Sequence, residues 1–476
     1  MILLSDKELA YEIGKAIATI GGRTYFVGGY VRDALLHKEN KDIDIEIHEV
    51  KPDDLQVLLS QFGPCETKGV SFGVYGIKHY DLDIALPRSE TSSGRGHKDF
   101  EVFVDPYLGE QKASSRRDFT INAMMQDVLT GEIVDCHNGL KDLQNKIIRH
   151  VDDNTFLEDP LRVLRAAQFA ARFEFDIAPE TIELCRKADL AALPSERIQT
   201  ELEKALLKAK KPSIFFESLR TMNQLDVWFP ELKALIDVPQ SASHHPEGDA
   251  WTHTMMVVDE AAKVRDKVSN PLGFMMSAVY HDIGKAHTTT HDEKGYHSYD
   301  HHVAGGTMIP KIPFLKDKSL TRYIQNMVEN HMAPHMLLKD STNATSYCRM
   351  FDKSVNPRDL IYLAQCDKLG RAIPNKDYSE SRSRLLHYLA IYEERMKRPC
   401  VMGQDLIDYG YKPSTLFKQA LEMSHNFQVC GTSKEQAINQ VLAFMAKETR
   451  KQGLPVPEQA MRRKQERQRR EQTHER

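Results

Sequence analysis

The acidic residues of the segment DIDIEI carry the clearest chemical signal in the chain. Asp42, Asp44 and Glu46 alternate with isoleucines, so a β-strand here would place three carboxylates on one face and the isoleucines in a core. Like charges at this spacing repel one another, whereas a hard divalent cation such as Mg²⁺ binds carboxylate oxygens directly. The pattern therefore indicates either a metal-binding strand or an ordinary amphipathic strand with a solvated outer face.

Two glycines shortly before this strand favour the metal-binding interpretation. Gly28 and Gly29 follow an apolar run and precede a helical stretch, where backbone N–H groups at the helix start favour a phosphate. Arg32 and Asp33, one helical turn further on, would add a phosphate clamp and its orienting partner. A phosphate site beside a metal strand indicates nucleotide chemistry. The sequence contains neither a G-x-x-x-x-G-K-[ST] loop nor a G-x-G-x-x-G fingerprint.

These motifs resemble the head of the DNA polymerase beta nucleotidyltransferase superfamily, and more narrowly the class II tRNA nucleotidyltransferases (CCA-adding enzymes) and the bacterial poly(A) polymerases. Further stretches match that class in the expected order: DLDIALPRSE (81–90), RRDFTINAM (116–124), EDPLRVLRAAQFAARF (158–173) and ERIQTELEKAL (196–206). The chain departs from the pattern at Gln168, because many members have R-F-A-A-R-F where this sequence reads QFAARF.

The resemblance implies transfer of a nucleotidyl group to an RNA 3′-hydroxyl by a two-metal mechanism. Asp42 and Asp44 would hold Mg²⁺, and Asp83 on a second core strand is the expected third catalytic carboxylate. Glu46 has a weaker claim and is expected to be an acid at the strand edge. Further nucleotide contacts are implied for a group of polar residues in the later motifs: Arg117, Asp118, Asn122 and Arg165. Arg116 would join that group at a hinge between head and neck.

Asp159 and Arg162 offer a chemical basis for nucleotide choice. They are three residues apart, with Pro160 suited to a first helical turn, so both side chains are predicted on one helical face. A carboxylate accepts a hydrogen bond from the exocyclic amine of cytosine or adenine, and a guanidinium donates to the adjacent ring acceptor. Uracil and guanine present a carbonyl instead, so the pair would select CTP and ATP without a template. Taken alone, the same spacing fits a surface ion pair.

A second constellation lies downstream of these motifs. His253, the His281-Asp282 pair and Asp367 follow the H…HD…D order and resemble the HD metal-dependent phosphohydrolases. Neutral imidazoles and carboxylates together form an environment for a divalent transition metal, whose identity the sequence leaves open. The surrounding segment HPEGDAWTHT resembles the HD insert of the longer bacterial CCA-adding enzymes.

Additional histidines follow the HD pair. His301 and His331 are candidate ligands for a second metal, since HD proteins often add such residues. His302 and His335 are expected to be satisfied histidines on packed helices.

Length and composition are those of an ordinary multidomain globular protein. The chain has 476 residues, a formal net charge of −4 and 41% hydrophobic residues, so two or three domains are expected. No apolar run approaches a membrane span, and the first ten residues lack a secretory signal, which predicts a cytoplasmic protein that does not contact membranes. The cysteines are scattered without C-x-x-C, which fits reduced thiols.

The predicted fold is an α/β nucleotidyltransferase head with a mixed sheet and helices, followed by an all-α neck and body and an all-α HD domain. The predicted divisions are a head at 1–137, a neck and body that bind tRNA and nucleotide at 138–238, an HD domain at 239–372, and a helical C-terminal region at 373–476. A Gly/Ser-rich segment at 88–106 is expected to form a mobile loop over the active site. The arginine-rich tail at 462–476 is expected to be disordered or, alternatively, to grip RNA.

The sequence therefore predicts a CCA-adding tRNA nucleotidyltransferase, monomeric or homodimeric, that uses CTP and ATP and binds the tRNA acceptor end by phosphate contacts and shape. By resemblance, its HD domain would be a phosphatase and 2′,3′-cyclic phosphodiesterase. Poly(A) polymerases and enzymes that add only CC or only A share the head motifs and stay open. Two other classes also stay open: an HD nucleotide phosphohydrolase with a sensory head, and a non-catalytic RNA-binding scaffold.

Overall fold

The computed structural model describes residues 4–69, 73–92, 100–338, 342–374 and 377–460. The chain divides into two compact units, Met1–Ala234 and Leu235–Arg476, called here the N-terminal unit and the C-terminal unit.

The N-terminal unit contains the β-strands of the predicted head and several short additions. Its strands are β1 (Arg23–Val27), β2 (Ile43–His48), β3 (Cys65–Gly69), β4 (Val74–Ile77), β5 (Leu82–Ala85), β6 (Arg88–Ser92), β7 (Phe100–Val104), β8 (Met125–Asp127), β9 (Ile133–Val134), β10 (Ile147–Ile148) and β11 (Asp176–Ile177). Its helices are α1 (Asp6–Thr19), α2 (Gly29–Leu35), α3 (Pro52–Leu59), α4 (Glu110–Ser115), α5 (Gly139–Asn145), α6 (Asp153–Glu158), α7 (Leu161–Phe173), α8 (Pro179–Cys185), α9 (Ser195–Lys208), α10 (Ser213–Thr221) and α11 (Pro230–Lys233), with a 3-10 turn at Thr120–Asn122.

A seven-stranded mixed sheet forms the centre of this unit, in the order β3-β4-β5-β2-β1-β8-β9. Strand β2 is antiparallel to β1 and parallel to β5, so its backbone is hydrogen-bonded on both sides. Ile43, Ile45 and Ile47 are all buried, as their alternation with acids predicts. The mixed sheet with helices and the mostly helical chain that follows it confirm the predicted fold class.

The segment predicted as a mobile loop differs from the prediction at both ends. Residues Arg88–Ser92 and Phe100–Val104 form an antiparallel two-stranded sheet. The intervening residues 93–99 lie outside the described part of the chain, as does the tail at 462–476.

Helices dominate the C-terminal unit. They are α12 (Ala250–Ala262), α13 (Pro271–Tyr280), α14 (Lys285–Thr288), α15 (His301–Met308), α16 (Lys318–Asn330), α17 (Ala333–Leu337), α18 (Ala344–Lys353), α19 (Pro357–Leu369), α20 (Ser379–Met396), α21 (Gly403–Asp408), α22 (Thr415–Val429) and α23 (Lys434–Lys451), with 3-10 turns at Arg265–Lys267 and Ile309–Lys311. A short antiparallel hairpin, β12 (Thr289–Asp292) and β13 (Gly295–Ser298), interrupts them and was not predicted from the sequence.

The helix starts in this unit carry side-chain caps that the sequence supplies locally. Asp249, Asp317 and Asn343 each accept backbone N–H bonds at the start of α12, α16 and α18. The packed faces are apolar, and a separate core cluster joins α21, α22 and α23 through residues such as Leu406 and Val441. Within the described ranges, no helix combines the length and apolar character needed to cross a membrane.

Candidate active sites

The carboxylates of the N-terminal unit meet where β2 and β5 run side by side. Asp44 is the register partner of Asp83 on β5 and of Val27 on β1. Side chains of register partners point to the same face of a sheet, so the structure places the Asp44 and Asp83 carboxylates next to each other. Asp42 immediately precedes β2, and both it and Asp44 are exposed to solvent. Carboxylate oxygens on one open face suit a hard divalent cation.

Glu46 is not the strand-edge acid that the sequence predicts. It lies inside β2 between two hydrogen-bonded neighbours, and its side chain is fully buried. One carboxylate oxygen is 3.0 Å from His48 Nε2, and the other is 3.5 Å from Arg117 Nη2 and 3.6 Å from Arg116 Nη2. Burial opposes the charge on Glu46, but His48 and the two arginines outweigh it and hold its pKa below the ordinary value. Glu46 therefore forms a buried ionic contact that holds Arg116 and Arg117 beside strand β2.

Gly28 brings the backbone close to the reactive side chains. It precedes α2 with a φ of 69°, a left-handed conformation that favours glycine. A Cβ atom at this position would lie 3.3 Å from Arg117 Nη1 and 3.8 Å from Asp44 Oδ2. The glycine thus leaves room for a phosphate or an arginine between the loop and the metal-type carboxylate.

Arg32 is buried, and its guanidinium is held on all sides. Its Nε donates to Asp33 Oδ1 at 2.8 Å and its Nη1 to Asn122 Oδ1 at 2.6 Å, while its carbon Cζ lies 4.7 Å from the Phe173 ring centroid. Burial lowers the pKa of Arg32, and the charge of Asp33 opposes that shift. The predicted partnership with Asp33 is present, and the contact with Asn122 links this arginine to a second motif.

That link continues into the helical region. Asn122 Nδ2 donates to Asp118 Oδ1 at 2.9 Å, and Arg165 Nε on α7 donates to Asp118 Oδ2 at 2.7 Å. Burial opposes the charge on Asp118, yet Arg165 and Asn122 outweigh it and keep its pKa below the ordinary value. The polar residues predicted from separate motifs thus form one continuous chain of contacts from α2 to α7.

Asp159 and Arg162 do not share one helical face as predicted. Asp159 is extended (φ −119°, ψ 96°) at the end of α6, before α7 begins, because Pro160 separates the two helices. Arg162 donates to two backbone carbonyls, those of Thr155 at 2.6 Å and Arg116 at 2.7 Å. The side-chain partner of Asp159 is instead Arg197 on α9, a residue to which the sequence analysis assigned no role.

A cavity of about 430 Å³ lies between the Gly28 loop and helix α7. Its lining includes Gly28, Asp44, Arg117, Arg165 and Gln168. The Gln168 side chain is 1% exposed, and its Nε2 has no hydrogen-bond partner among the described residues. Gln168, which departs from the family pattern, therefore lines the cavity with an amide nitrogen that lacks a hydrogen-bond partner among the described residues.

The C-terminal unit gathers its predicted metal-binding residues in one buried cluster. His253 lies on α12, His281 and Asp282 follow α13, His301 begins α15, His331 follows α16, and Asp367 lies on α19. The helices supply one or two ligands each, so their packing creates the cluster.

Asp282 is at the centre of this cluster. Its Oδ1 lies 3.2 Å from His301 Nε2 and 3.7 Å from His331 Nε2. Its Oδ2 lies 3.2 Å from His281 Nε2 and 3.8 Å from His253 Nε2. Ligand-type atoms of His253, His281 and Asp282, and likewise those of Asp282, His301 and His331, all lie within 4.8 Å of one another. One carboxylate is thus shared by two groups that suit a metal ion.

The Nδ1 atoms of three imidazoles in this cluster are hydrogen-bonded to the backbone. The Nδ1 atoms of His281, His301 and His331 lie 2.7 to 2.9 Å from the backbone carbonyls of Ala278, Ser298 and Val328. A carbonyl accepts only from N–H, so in the neutral form of each ring Nε2 is the nitrogen with the lone pair, as in metal-bound histidines. His281 Nε2 is buried without a hydrogen-bond partner among the described residues. Burial and the neighbouring His301 hold the pKa of His331 well below its ordinary value, which favours the neutral, metal-binding ring.

Further residues lie beside the predicted ligands. His335, expected to be a satisfied histidine on a packed helix, lies with its Nε2 3.0 Å from Asp367 Oδ2. Glu247 accepts from His253 Nδ1 at 2.8 Å, and Lys285 Nζ is 2.6 Å from Asp282 Oδ2. Lys285 follows the HD pair by one helical turn, a spacing that could have identified it. Glu247 depends on loop geometry and had no such signal.

Three family profiles match the chain: the "Poly A polymerase head domain" at residues 24–149, the "Probable RNA and SrmB- binding site of polymerase A" at 174–236, and the "HD domain" at 250–372. The multifunctional CCA protein of Mannheimia succiniciproducens is 40% identical over 379 residues, which cover 75% of this chain and 87% of that protein. The multifunctional CCA protein of Pasteurella multocida is 39% identical, with 83% of this chain and 93% of that protein covered.

The fold is also similar to solved structures at low sequence identity. A Thermotoga maritima CCA-adding enzyme complexed with tRNA aligns with a TM-score of 0.59 at 19% identity, covering 92% of this chain and 95% of that one. A CCA-adding enzyme in complex with CTP aligns with a TM-score of 0.60 at 21% identity, covering 93% and 94%. These structures resemble the chain in fold.

Proposed function

The chain belongs to the multifunctional CCA protein family, and we propose that it adds cytidine, cytidine and adenosine in turn to the 3′ end of tRNA from CTP and ATP. The N-terminal unit would perform this reaction. The observation that carries the proposal is the register of Asp44 with Asp83, because it sets two carboxylates on one face of the sheet, with Asp44 close to the Gly28 loop.

Each part of the site has a role in this proposal. Asp42 and Asp44 would hold Mg²⁺, with Asp83 beside them. When bound, Mg²⁺ would stabilise the entering 3′-oxygen and the departing pyrophosphate. Arg117, held by Glu46, places positive charge beside the loop where a triphosphate would lie. The carboxylate of Asp159 accepts a hydrogen bond from Arg197, which restricts its orientation. It would accept a further hydrogen bond from the exocyclic amine of cytosine or adenine.

The proposal keeps the division predicted from the sequence: head at 1–137, neck and body at 138–238, HD domain at 239–372 and C-terminal region at 373–476. The profile matches to head, RNA-binding and HD domains support the first three parts. The tRNA acceptor end would bind to the N-terminal unit, and the protein would act as a monomer or homodimer.

The test is incorporation of nucleotides into matched tRNA transcripts that end at the discriminator base, at C and at CC, together with an A-tailed RNA. CTP and ATP are supplied separately and then together. Addition of C, C and A followed by arrest supports the proposal. Failure at one tRNA step would identify an enzyme that adds only CC or only A, and unlimited A addition to the A-tailed RNA would identify a poly(A) polymerase.

The C-terminal unit supports a second activity, metal-dependent hydrolysis of phosphoesters. The supporting observation is the convergence of histidine Nε2 atoms on the two oxygens of Asp282. His253, His281, Asp282 and Asp367 would hold one divalent transition metal, and His301 and His331 with Asp282 a second. Bound metal would supply a hydroxide nucleophile at neutral pH. Lys285 and Arg371, 2.6 Å from Asp282 and 3.3 Å from Asp367, would bind the phosphate.

Paired variants separate the two activities. Asp44→Ala should abolish nucleotide incorporation and leave hydrolysis of a 2′,3′-cyclic nucleotide unchanged, whereas Asp282→Ala should do the reverse. If either variant abolishes both activities while the protein remains folded, the assignment of one reaction to each unit is wrong.

A further inference from the structure

A second cavity, of about 640 Å³, opens beside the HD cluster of the C-terminal unit. Asp282, His301 and Asp367 form part of its wall. Its volume is within the range of pockets that enclose a drug-sized molecule, and a phosphate group alone would leave most of it unfilled. The cavity therefore accommodates a substrate with a sizeable group attached to the phosphoester.

The β12–β13 hairpin brings aromatic rings to this cavity. Tyr296 and Tyr299 both line it, yet they are 41% and 71% exposed, so the fold does not use them as core residues. Exposed aromatic rings at a cavity are surfaces on which a flat, apolar ligand group can stack.

Both ends of the hairpin are tied to the metal-type cluster. Thr289 at its start follows α14, which begins at Lys285, and Thr289 Oγ1 bonds to the backbone carbonyl of Lys285 at 2.7 Å. At its far end, the carbonyl of Ser298 accepts from His301 Nδ1 at 2.7 Å. The two ends of the hairpin backbone are consequently held next to Asp282 and His301.

Unused polar groups also line the cavity. The hydroxyl of Tyr378 and the Nε of Arg371 are buried and have no hydrogen-bond partner within the described ranges of the chain. Tyr378 itself is only 5% exposed. A buried donor without a partner is costly, so both groups are suited to a polar ligand such as a phosphorylated sugar.

We infer that Tyr299, flanked by Tyr296, is the specificity-determining residue of this cavity and stacks the base of a nucleotide substrate whose phosphate lies at the HD cluster. The inference rests on the phosphohydrolase function proposed above and names the base as the determinant of specificity. The reaction is the one proposed above, hydrolysis of a nucleoside 2′,3′-cyclic phosphate, either free or at an RNA 3′ end. Hydrolysis adds the hydroxyl of water to phosphorus and its proton to the released ribose oxygen, which yields a phosphomonoester.

The experiment compares kcat/KM of the full chain, loaded with the most activating divalent metal, on three substrates. They are adenosine 2′,3′-cyclic phosphate, an RNA oligonucleotide with a 2′,3′-cyclic phosphate end, and glycerol 1,2-cyclic phosphate, which has the same reactive ring but no base. Tyr299→Ala should lower kcat/KM about tenfold on substrates with a base, through KM, and leave the glycerol compound unaffected. Tyr299→Phe, which keeps the ring, should retain activity on all three.

Tyr107→Ala is the matched control, since Tyr107 is a 61% exposed tyrosine of the N-terminal unit. It should change none of the three rates. Tyr378→Phe removes only a hydroxyl and should lower kcat/KM for the nucleoside substrates. A loss confined to the free nucleotide, or to the RNA end, would identify which source this site serves.

Equal rates for Tyr299→Ala and the unchanged protein on all substrates, or an equal loss on all three, would overturn the base-stacking inference and leave the phosphohydrolase function standing. Absence of hydrolysis of every substrate by the unchanged protein would overturn the proposed function and this inference with it.

Discussion

The carboxylate of Asp159 accepts two N–H bonds from the guanidinium of Arg197, at 3.2 Å to Oδ1 and 2.9 Å to Oδ2. This paired geometry joins the segment between α6 and α7 to helix α9 and fixes the orientation of the carboxylate. In the proposed role of Asp159 in base recognition, this orientation would favour discrimination, because a freely rotating carboxylate would contact either kind of base edge.

Loss of this pair should affect nucleotide choice more than folding. We expect Arg197→Ala to lower kcat/KM for CTP and ATP incorporation about tenfold, which corresponds to roughly 1.4 kcal/mol, and to raise misincorporation of UTP. Single-nucleotide incorporation with each of the four triphosphates measures both effects. Arg186→Ala is the control, since Arg186 forms a similar but more exposed pair with Glu183. Unchanged selectivity in Arg197→Ala would contradict the base-reading role of Asp159.

Replacement of Glu46 tests the anchoring of the arginine pair. Glu46→Gln keeps the shape of the side chain but removes the charge that faces His48, Arg116 and Arg117. We expect incorporation to fall about tenfold and the free energy of unfolding to drop by about 1 to 3 kcal/mol at pH 7. Urea unfolding and incorporation assays on the same preparation measure the two effects.

The stability difference of this variant should depend on pH. The folded-state pKa of Glu46 lies below its unfolded value of 4.5, so its stabilising contribution is complete above that value and is lost as pH falls through the folded pKa. The gap in unfolding free energy between Glu46→Gln and the unchanged protein should therefore shrink as the pH falls below about 4.5. A gap that widens on acidification would show that Glu46 is not held in its charged form.

Gly28 can be tested against another glycine with a positive φ. We expect Gly28→Ala to lose at least about tenfold in incorporation, because its new Cβ would meet Arg117 and force the arginine or the loop to move. Gly21→Ala is the matched control, since Gly21 also has a positive φ, of 87°, but has nothing within 4 Å of an added Cβ. Both variants should lose stability from the positive φ, and Gly28→Ala should lose more, because its ψ of −136° lies outside the left-handed helical region; urea unfolding measures both losses. Equal activity in the two would contradict the crowding argument.

Metal binding to the HD cluster should be visible without any assay of catalysis. Addition of Mn²⁺, Co²⁺ or Ni²⁺ to metal-stripped protein should raise the unfolding temperature of the C-terminal unit. At a metal concentration a hundredfold above Kd, the expected gain in unfolding free energy is about 2.7 kcal/mol. Asp282→Asn should remove most of this shift, and His302→Ala, beside the cluster, should keep it. Differential scanning calorimetry in the presence and absence of a chelator makes the comparison. An equal shift in Asp282→Asn would place the metal elsewhere.

Local patterns predicted the sheet and the metal-type carboxylates because both depend on residues close together in the chain. The alternation around Asp44 specifies a strand, and the second acid strand with Asp83 follows the same rule. Glu46 obeys the same alternation but is buried, because its burial is decided by Arg116 and Arg117, about 70 residues later in the sequence.

Contacts between distant segments explain the other differences. Asp159 pairs with Arg197, and no spacing rule within one helix predicts a partner on α9. Likewise His335 reaches Asp367 because two helices pack together, so its role depends on tertiary structure. Sequence reasoning thus found the residue types that do chemistry, and the structure assigned several of their partners.

The position of Asp282 between two groups of imidazoles links the occupancy of one metal position to that of the other. The first cation to arrive would neutralise part of the charge of Asp282, and it would also restrict the orientation of this carboxylate. These effects have opposite signs, so titration with metal should deviate from two independent sites, either towards sequential filling or towards joint filling. The sign of that deviation would reveal whether electrostatic competition or preorganisation of the bridge controls how the centre is assembled.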